Sequence, residues 1–196
     1  MRKLVFIAVA TFIGWKYFGP EQTVMLGPGV MVADLPRQEK VLNTTKIVID
    51  NYLITPLASF DIKAKVLSKE TYSLGRESDL SSIDLALGWQ KMSDESVLDN
   101  IEISQSGRWY RWRTDAFPIP RREIETQSAN MHLIPANGLI EDMIDQVKQG
   151  QIIRITGSLV RVDAKDGWHW QSSLTREDTG AHACELVYVT SFELLN

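Results

Sequence analysis

The sequence predicts a mainly β domain with one or two helices, placed behind an N-terminal membrane helix. Three observations support this. Residues Leu4 to Trp15 carry no charge, several later segments alternate apolar and polar residues, and one segment, Leu139 to Gln149, repeats apolar residues at helical spacing. We expect a small barrel or a strongly bent antiparallel sheet, with an OB-like barrel as one form it can take, and one helix packed on it.

The apolar N-terminal run suits a membrane anchor better than a cleaved signal. A spanning helix needs about 20 apolar residues and a signal core about 7–15, so length alone favours a signal. The small-x-small cleavage pattern, however, occurs only as Ala8-Val9-Ala10, inside the run. Trp15, Lys16 and Tyr17 end the run, and such residues suit the headgroup boundary. We favour an uncleaved anchor over a cleaved signal or a buried helix.

The charge pattern sets the expected topology. Arg2 and Lys3 precede the run, so the N-terminus should stay in the cytoplasm. Residues 4–18 would then bind the membrane in a single pass, residues 1–20 form the anchor segment, and residues 21–196 form one domain. We place this domain in the periplasm, on the bacterial inner membrane.

The overall composition argues against several classes of function for the domain. The chain has 21 Lys and Arg against 25 Asp and Glu, a net charge of −4, and Arg2, Lys3 and Lys16 lie in the anchor segment. An acidic domain has no general attraction for nucleic acid, so we expect no nucleic-acid partner. Cys184 is the one cysteine, which excludes an internal disulfide. No cofactor motif is present, and we expect none.

Sequence patterns place the main elements. Phe60 to Val66 alternates as a half-buried strand, Lys46 to Ile54 alternates loosely, and Thr55-Pro56 should separate the two. A hairpin is expected from Ile101–Ser104 and Arg108–Arg113 around the turn Gln105-Ser106-Gly107. Further elements are a short helix over 94–100 capped by Ser93, the helix 139–149 capped by Asn137 and stopped by Gly150, and strands at 152–162, 168–172 and 184–190.

The phrase Asp84 to Trp89, followed by Ser93-Asp94, is the first candidate site. Asp84 and Asp94 flank a Gly-Trp turn and could hold a sugar or a cation. The alternative, which we favour, is a turn in which the carboxylates accept backbone hydrogen bonds and Trp89 fills the core. Trp89 is kept as a candidate binding residue.

The run Arg108–Arg113 is the second candidate. In a strand, Trp109, Arg111 and Arg113 share one face, while Arg108, Tyr110 and Trp112 share the other. Such faces can stack bases or anchor a protein partner. We predict binding through the following set: Arg108, Trp109, Arg111, Trp112 and Arg113. The structural alternative is a hairpin that buries its aromatic rings and covers its rim with arginine stems.

Two further groups could carry chemistry. His132 has Ser128 and Asn130 nearby in sequence, but neighbours in sequence do not form a triad, so a catalytic His132 needs Asp84 or Asp94 as its partner. His169, His182 and Cys184 could converge as a zinc-like set if their strands pair. For both groups we favour structural roles: a hydrogen-bonded loop histidine, and strands in which Trp168 and Trp170 are core.

Several phrases resemble a family of uncharacterised, membrane-anchored bacterial proteins. They are DLALGW at 84–89, SGRWY at 106–110, SANMHLIPA at 128–136 and GWHWQSSLTREDTGAHACEL at 167–186. The resemblance covers residues from about 50 to the C-terminus. It implies a Gram-negative setting and a single N-terminal anchor, and it implies no activity.

The leading functional prediction is a membrane-tethered extracytoplasmic module that binds a ligand or an envelope protein. It rests on the anchor, the mainly β domain and the absence of a coherent catalytic set in the sequence. The alternatives are a periplasmic hydrolase that uses His132 with Asp84 or Asp94, and an OB-like nucleic-acid-binding module if the domain is cytoplasmic.

Overall fold

The computed structural model describes residues 23–42, 44–180 and 183–195 and shows a mainly β fold with one large mixed sheet. Its strands are β1 Arg37–Lys40, β2 Ile47–Ile49, β3 Tyr52–Thr71, β4 Ile83–Gly88, β5 Glu102–Ser106, β6 Trp109–Arg113, β7 Ser128–Pro135, β8 Ile152–Ala164, β9 His169–Gln171 and β10 Glu185–Leu194. Three α-helices occur in the described part: α1 Glu95–Leu98, α2 Arg121–Thr126 and α3 Gly138–Asp145. Short 3-10 turns cover Arg76–Asp79 and Gln90–Ser93.

The predicted anchor in residues 4–18 lies outside the described residues. Among the residues that are described, no helix has the length and apolar character needed to span a bilayer.

The large sheet bends until its pairings return to their starting strand. β3 pairs with β4, β4 with β7, β7 with β10, β10 with β8, and β8 again with β3. The β7–β10 pair is parallel and the other four are antiparallel. The expectation of a purely antiparallel sheet is therefore wrong at one pair. β10 reaches β7 only after the chain has passed through α3, β8 and β9, and it arrives in the same direction as β7.

β3 is the longest strand and links most of the sheet. Its 20 residues pair with β1, β2, β4 and β8. We expected Thr55-Pro56 to interrupt this region, but the strand continues through Pro56. A register shift against β8 falls between Pro56 and Ala58, and an irregularity of this kind accommodates a residue without an N–H donor. A second shift, between Val66 and Ser68 against β4, adds to the bend.

The inner face of the bent sheet forms the main core. Phe60, Ile62, Ala64 and Val66 of β3 are all buried there, as their alternation with charged residues predicts. β4, β7 and β10 contribute Ile83, Leu85, Leu87, Met131, Leu133, Val187 and Val189. At roughly 1.5–3 kcal/mol for each large side chain, this cluster is the main source of stability.

Helix α3 packs one side against this core. Ile140 and Ile144 are buried in it, and the Asn137 side chain accepts a hydrogen bond from the Ile140 N–H at 3.1 Å, which confirms the predicted cap. The helix ends at Asp145, earlier than the apolar spacing predicts. Gly150 follows with φ +89°, and a Cβ there would lie 1.9 Å from the Val24 carbonyl oxygen, so the chain needs glycine at this crossing.

An N-terminal strap, residues 24–32, is tied to the segment around α1. Glu95 is buried, forms an ion pair with Lys65 at 2.6 Å and accepts the N–H groups of Leu26 and Gly27. Burial opposes ionisation of Glu95, but these donors together hold its pKa below the ordinary value. Asp94 accepts the Gly29 N–H and caps α1 through Ser96.

The prediction that Ser93 caps this helix is wrong. Its hydroxyl accepts the N–H groups of Met31 and Val32 of the strap instead. The position next to it, Asp94, takes the capping role because its carboxylate reaches the Ser96 N–H at 2.9 Å.

The outer face of β4 and β7 is covered by an insertion, residues 89–127, which contains α1, the β5–β6 hairpin and α2. Leu67, Ala86, Met92, Ile101 and Ile124 form a second core beneath it. The insertion therefore fixes the position of the hairpin on which the predicted binding residues lie.

Candidate functional site

The β5–β6 hairpin presents the run of arginine and aromatic residues as alternation predicts. Trp109, Arg111 and Arg113 are exposed, whereas Tyr110 and Trp112 are half-buried and pack on the second core. The strands pair from Glu102 opposite Arg113 to Ser106 opposite Trp109. One face of the hairpin thus packs on the domain, and the other face is exposed to solvent.

The prediction that Arg108 belongs to the strand is wrong, because Arg108 lies in the turn. Gly107 and Arg108 have φ values of +57° and +69°, the positive values of a two-residue type I′ turn. This conformation is unfavourable for a residue with a side chain. Contacts elsewhere in the chain must therefore hold Arg108 in place.

A buried carboxylate supplies the main contact. Arg108 Nη1 lies 2.7 Å from Asp84 Oδ1, and Nη2 donates to the Ser81 carbonyl at 2.8 Å. The guanidinium stacks 4.0 Å from the centre of the Tyr72 ring, and the Arg108 N–H donates to the Tyr72 hydroxyl. Asp84 has no exposed surface. The turn of the hairpin is therefore fixed to β4 by an ion pair whose carboxylate is fully buried.

His132 completes this cluster from the neighbouring strand. It lies directly opposite Asp84 in the β4–β7 register, and its Nδ1 is 2.9 Å from Asp84 Oδ1. The Trp170 ring packs at 4.9 Å from the imidazole. Of the two predicted carboxylate partners of His132, Asp84 is the one that lies next to it in the structure. Asp94 instead holds the strap.

The cluster lacks the surroundings of an active site. His132 and Asp84 are both buried, and Arg108 already uses the carboxylate. In the described part of the chain, no serine hydroxyl or cysteine thiol hydrogen-bonds to His132, and neither His132 nor Asp84 lines the cavity beside the hairpin. A nucleophile and access for substrate would both be needed for hydrolysis.

Acceptors within the chain also engage Arg111 and Arg113 of the hairpin, and Arg121 and Arg122 at the start of α2. Their acceptors are Ser106 for Arg111, Glu102 for Arg113, Glu125 for Arg121 and Glu177 for Arg122. Exposed ion pairs of this kind contribute little to stability. The carboxylates do offset the charges of Arg113, Arg121 and Arg122, whereas the Ser106 hydroxyl leaves the charge of Arg111 uncompensated.

A cavity of about 120 Å³ opens beside the hairpin. Trp109, Tyr110 and Trp112 line one side of it, and the segment that leads into β10 lines the other. At this second side Arg176 Nε lies 2.5 Å from Oε1 of Glu185, which is fully buried. Burial raises the pKa of Glu185 to about 8, against the attraction of Arg176.

Arg176 and Glu185 are site residues that the sequence reasoning missed. Glu185 begins β10, two residues before Val187 and four before Val189, both of which are core. An acidic residue on the core face of a predicted strand was a usable signal, since such a residue requires a charged or hydrogen-bonding partner.

The proposed metal ligands do not form a site in the described part. Cys184 is half-buried near the Asn130 amide, and burial raises its thiol pKa to about 11, so it is not a ready thiolate ligand. His169 lies exposed on β9, and His182 falls outside the described residues. No group of three or more His, Cys, Asp or Glu among those described is arranged to hold a metal ion.

Trp89 lies in the main core with no exposed surface. Its predicted role as a binding residue is therefore corrected in favour of the structural alternative, in which the ring fills the core.

Comparison with known proteins adds no relative. The chain matches no protein-family model, no curated protein and no solved structure. The functional argument consequently rests on the geometry of the hairpin and of the cavity beside it.

The substitution Glu185→Gln should change how stability depends on pH. The folded carboxyl keeps its proton up to about pH 8, whereas its ordinary pKa is 4.5. Between these values the unfolded chain binds fewer protons, so this group lowers the free energy of unfolding as pH rises, by up to about 1.4 kcal/mol per pH unit. Glutamine removes this contribution, so the free energy of unfolding of the variant should rise relative to that of the wild type from pH 5 to 8.

Urea unfolding of both proteins at pH 5, 6.5 and 8 measures the difference. The exposed Glu177→Gln is the matched control and should follow the wild type. If the free energy of unfolding of Glu185→Gln instead falls relative to that of the wild type as pH rises, Glu185 is ionised in the folded chain and this account of its environment is wrong.

Proposed function

We propose that the chain is a membrane-tethered extracytoplasmic module that binds a protein of the bacterial envelope through the exposed face of the β5–β6 hairpin. The observation that carries the proposal is the rigid display of this face: Trp109 is 43% exposed on a hairpin whose turn is fixed by the buried Arg108–Asp84 pair. Residues 4–18 would be the tether.

The composition of the hairpin face favours a protein partner. Tryptophan and arginine are the residues that most often dominate binding energy at protein interfaces. Phe117 is a second exposed aromatic residue, with 56% of its surface exposed, and it packs edge-on against Trp112 at 6.2 Å between ring centres. A preorganised aromatic surface also loses little conformational entropy when it binds.

We further propose that the closed cycle of pairings is an OB-type barrel, with β3, β4, β7, β8 and β10 as its five strands in chain order. OB folds are five-stranded Greek-key barrels that bind ligands on the face of strands 2 and 3 and through neighbouring loops. On this assignment the hairpin lies over that face, so the chain's own insertion occupies the surface that other OB folds offer to ligands.

This covering also argues against nucleic acid as the ligand. An OB surface for single strands needs exposed aromatic platforms and a basic groove. Here Asp84 and His132 occupy the outer face under the insertion, and the arginines of the basic run contact acceptors in the chain. The net charge of −4 points the same way.

A periplasmic hydrolase is the second candidate, favoured by the 2.9 Å contact between His132 and Asp84. The burial of both groups and the competing Arg108 weigh against it. Under the leading proposal the same contact has a structural role, since it joins β7 to the carboxylate that fixes the hairpin.

The double substitution Trp109→Ala, Arg111→Glu should abolish partner capture while the domain stays folded. Both side chains point to solvent, so the unfolding midpoint should shift little. Loss of two central contacts should reduce capture at least tenfold, since a single such residue can contribute about 2 kcal/mol or more. In-cell crosslinking of the full chain followed by quantitative mass spectrometry measures this.

The matched control is Leu74→Ala, which removes an exposed apolar side chain away from the hairpin. It should capture the same proteins as the wild type. A partner list that is unchanged in the hairpin variant would contradict the proposed interface.

Fusion of a reporter after Asn196 should show export of the domain. We expect alkaline phosphatase to be active at this position, because it folds only outside the cytoplasm, and a fluorescent protein that matures only in the cytoplasm to stay dark. The opposite pattern would contradict the tethered periplasmic module and would restore the OB-like nucleic-acid module as the leading alternative.

A further inference from the structure

The N-terminal strap meets the domain at the end of the sheet where β8 begins. The Val24 N–H donates to the Gln149 carbonyl at 2.8 Å, and the Val24 carbonyl packs directly against Gly150. Ile152 follows two positions later as the first residue of β8. Its carbonyl accepts the Leu195 N–H at 2.9 Å. Residues 24 and 195 therefore lie at the same end of the sheet.

Exposed apolar side chains collect at this end. Leu194 is the last residue of β10, and Leu195 follows it. Leu195 lines a surface groove together with Leu35, and Met25 is the strap residue next to Val24. We call four residues, each between 40% and 66% exposed, the apolar rim: Met25, Leu35, Leu194 and Leu195.

The charges beside the rim are balanced. The groove that contains Leu35 and Leu195 is also lined by three basic and three acidic side chains: Arg37, Lys63, Arg154, Asp34, Asp61 and Glu193. Arg154 and Asp61 form an ion pair at 3.0 Å. Equal numbers of opposite charges give little net attraction for anionic headgroups. A membrane contact at this end therefore depends on burial of apolar side chains, which neutral lipid also provides.

The proposed tether determines what lies opposite the rim. The tether ends at residue 18, and the strap is described from residue 23. Five residues of chain reach at most about 18 Å, even when fully extended. A chain anchored through residues 4–18 thus keeps this end of the domain next to the bilayer. Because the tether also raises the effective concentration of the two surfaces, a small apolar contact is sufficient.

The turn of the hairpin lies at the opposite end of the sheet. β8 extends 13 residues from Ile152, which is roughly 40 Å of strand, or about 30 Å along the sheet axis at a usual tilt. Trp170 pairs with Val162 near the far end of β8, and the Arg108 guanidinium lies 5.8 Å from the centre of the Trp170 ring. A domain that rests on its rim therefore directs the hairpin turn away from the membrane.

We propose that the apolar rim rests in the headgroup layer of the lipid bilayer, and that this contact orients the domain with the hairpin turn away from the membrane. The inference deepens the proposed function and rests on its membrane tether. The tether alone determines where the domain is, whereas the rim contact determines how it is turned. An envelope partner then meets the hairpin in one orientation, which lowers the entropic cost of binding.

Quenching by lipid in nanodiscs tests the contact. The full chain, with Cys184→Ser to remove its native thiol, carries a fluorescent label at Leu195→Cys or, as the matched control, at Leu74→Cys. Leu74 is exposed in the β3–β4 loop, whose Arg76 pairs with Asp166 beyond the far end of β8. The discs contain phosphatidylcholine and a headgroup-spin-labelled lipid that quenches the fluorophore.

The label at position 195 should be quenched at least about threefold more strongly than the label at position 74, because roughly 30 Å separate the two ends of the sheet. Equal quenching at the two positions would overturn the proposed orientation.

A second set of variants tests the leucines themselves. With the label at Leu35→Cys, the double substitution Leu194→Glu, Leu195→Glu should reduce quenching at least about twofold, because carboxylates oppose burial against lipid. Leu74→Glu is the control and should leave quenching unchanged. Urea unfolding checks the fold, and Leu195→Glu alone replaces the double variant if the latter unfolds. Undiminished quenching in a folded rim variant would contradict the proposal.

Retention of the chain in the discs separates this inference from the tether. If the chain stays in the discs while the label at position 195 is not quenched, the rim contact is wrong and the tether stands. The rim would then be available to a protein partner. If the chain leaves the discs, the proposed tether fails, and the rim contact fails with it.

Discussion

The buried carboxylate of Asp84 is the point on which the arrangement of the insertion depends. It receives the Arg108 guanidinium from the hairpin turn at 2.7 Å and lies against His132 of β7 at 2.9 Å. Breaking a buried ion pair from one side leaves an uncompensated charge, at a cost of about 3–5 kcal/mol. Asp84 therefore does more than occupy a strand, since it joins two sheet strands and holds an unfavourable turn conformation at Arg108.

Local patterns in the sequence predicted the parts of the site that depend on nearest neighbours. Alternation gave the exposed and packed faces of β6, and the Asn137 cap followed from helix-start chemistry. Whether Asp84 or Asp94 meets His132 could not be predicted, because the answer depends on the pairing of β4 with β7 across more than forty residues. Register is a tertiary property, and both aspartates fit equally well in sequence.

The Arg176–Glu185 pair shows a similar limit. Glu185 falls in the predicted strand 184–190, but Arg176 lies outside both neighbouring predicted strands, and nothing local indicates that it folds back over Phe60 to reach a carboxyl group buried at the start of β10. The continuity of β3 through Pro56 was missed for a related reason. Proline usually ends a strand, but the register shift against β8 directly after Pro56 accommodates it. Of these features, Arg176 and Glu185 form part of the cavity wall opposite the hairpin.

The most direct test of the account is a double-mutant cycle on Asp84→Asn and Arg108→Gln, with free energies of unfolding measured in urea. If the buried pair fixes the hairpin, each single variant should lose several kcal/mol and the two effects should couple by about 2 kcal/mol or more. Effects that add to within about 0.5 kcal/mol would show that the two groups act independently, and the hairpin would need another explanation for its fixed position.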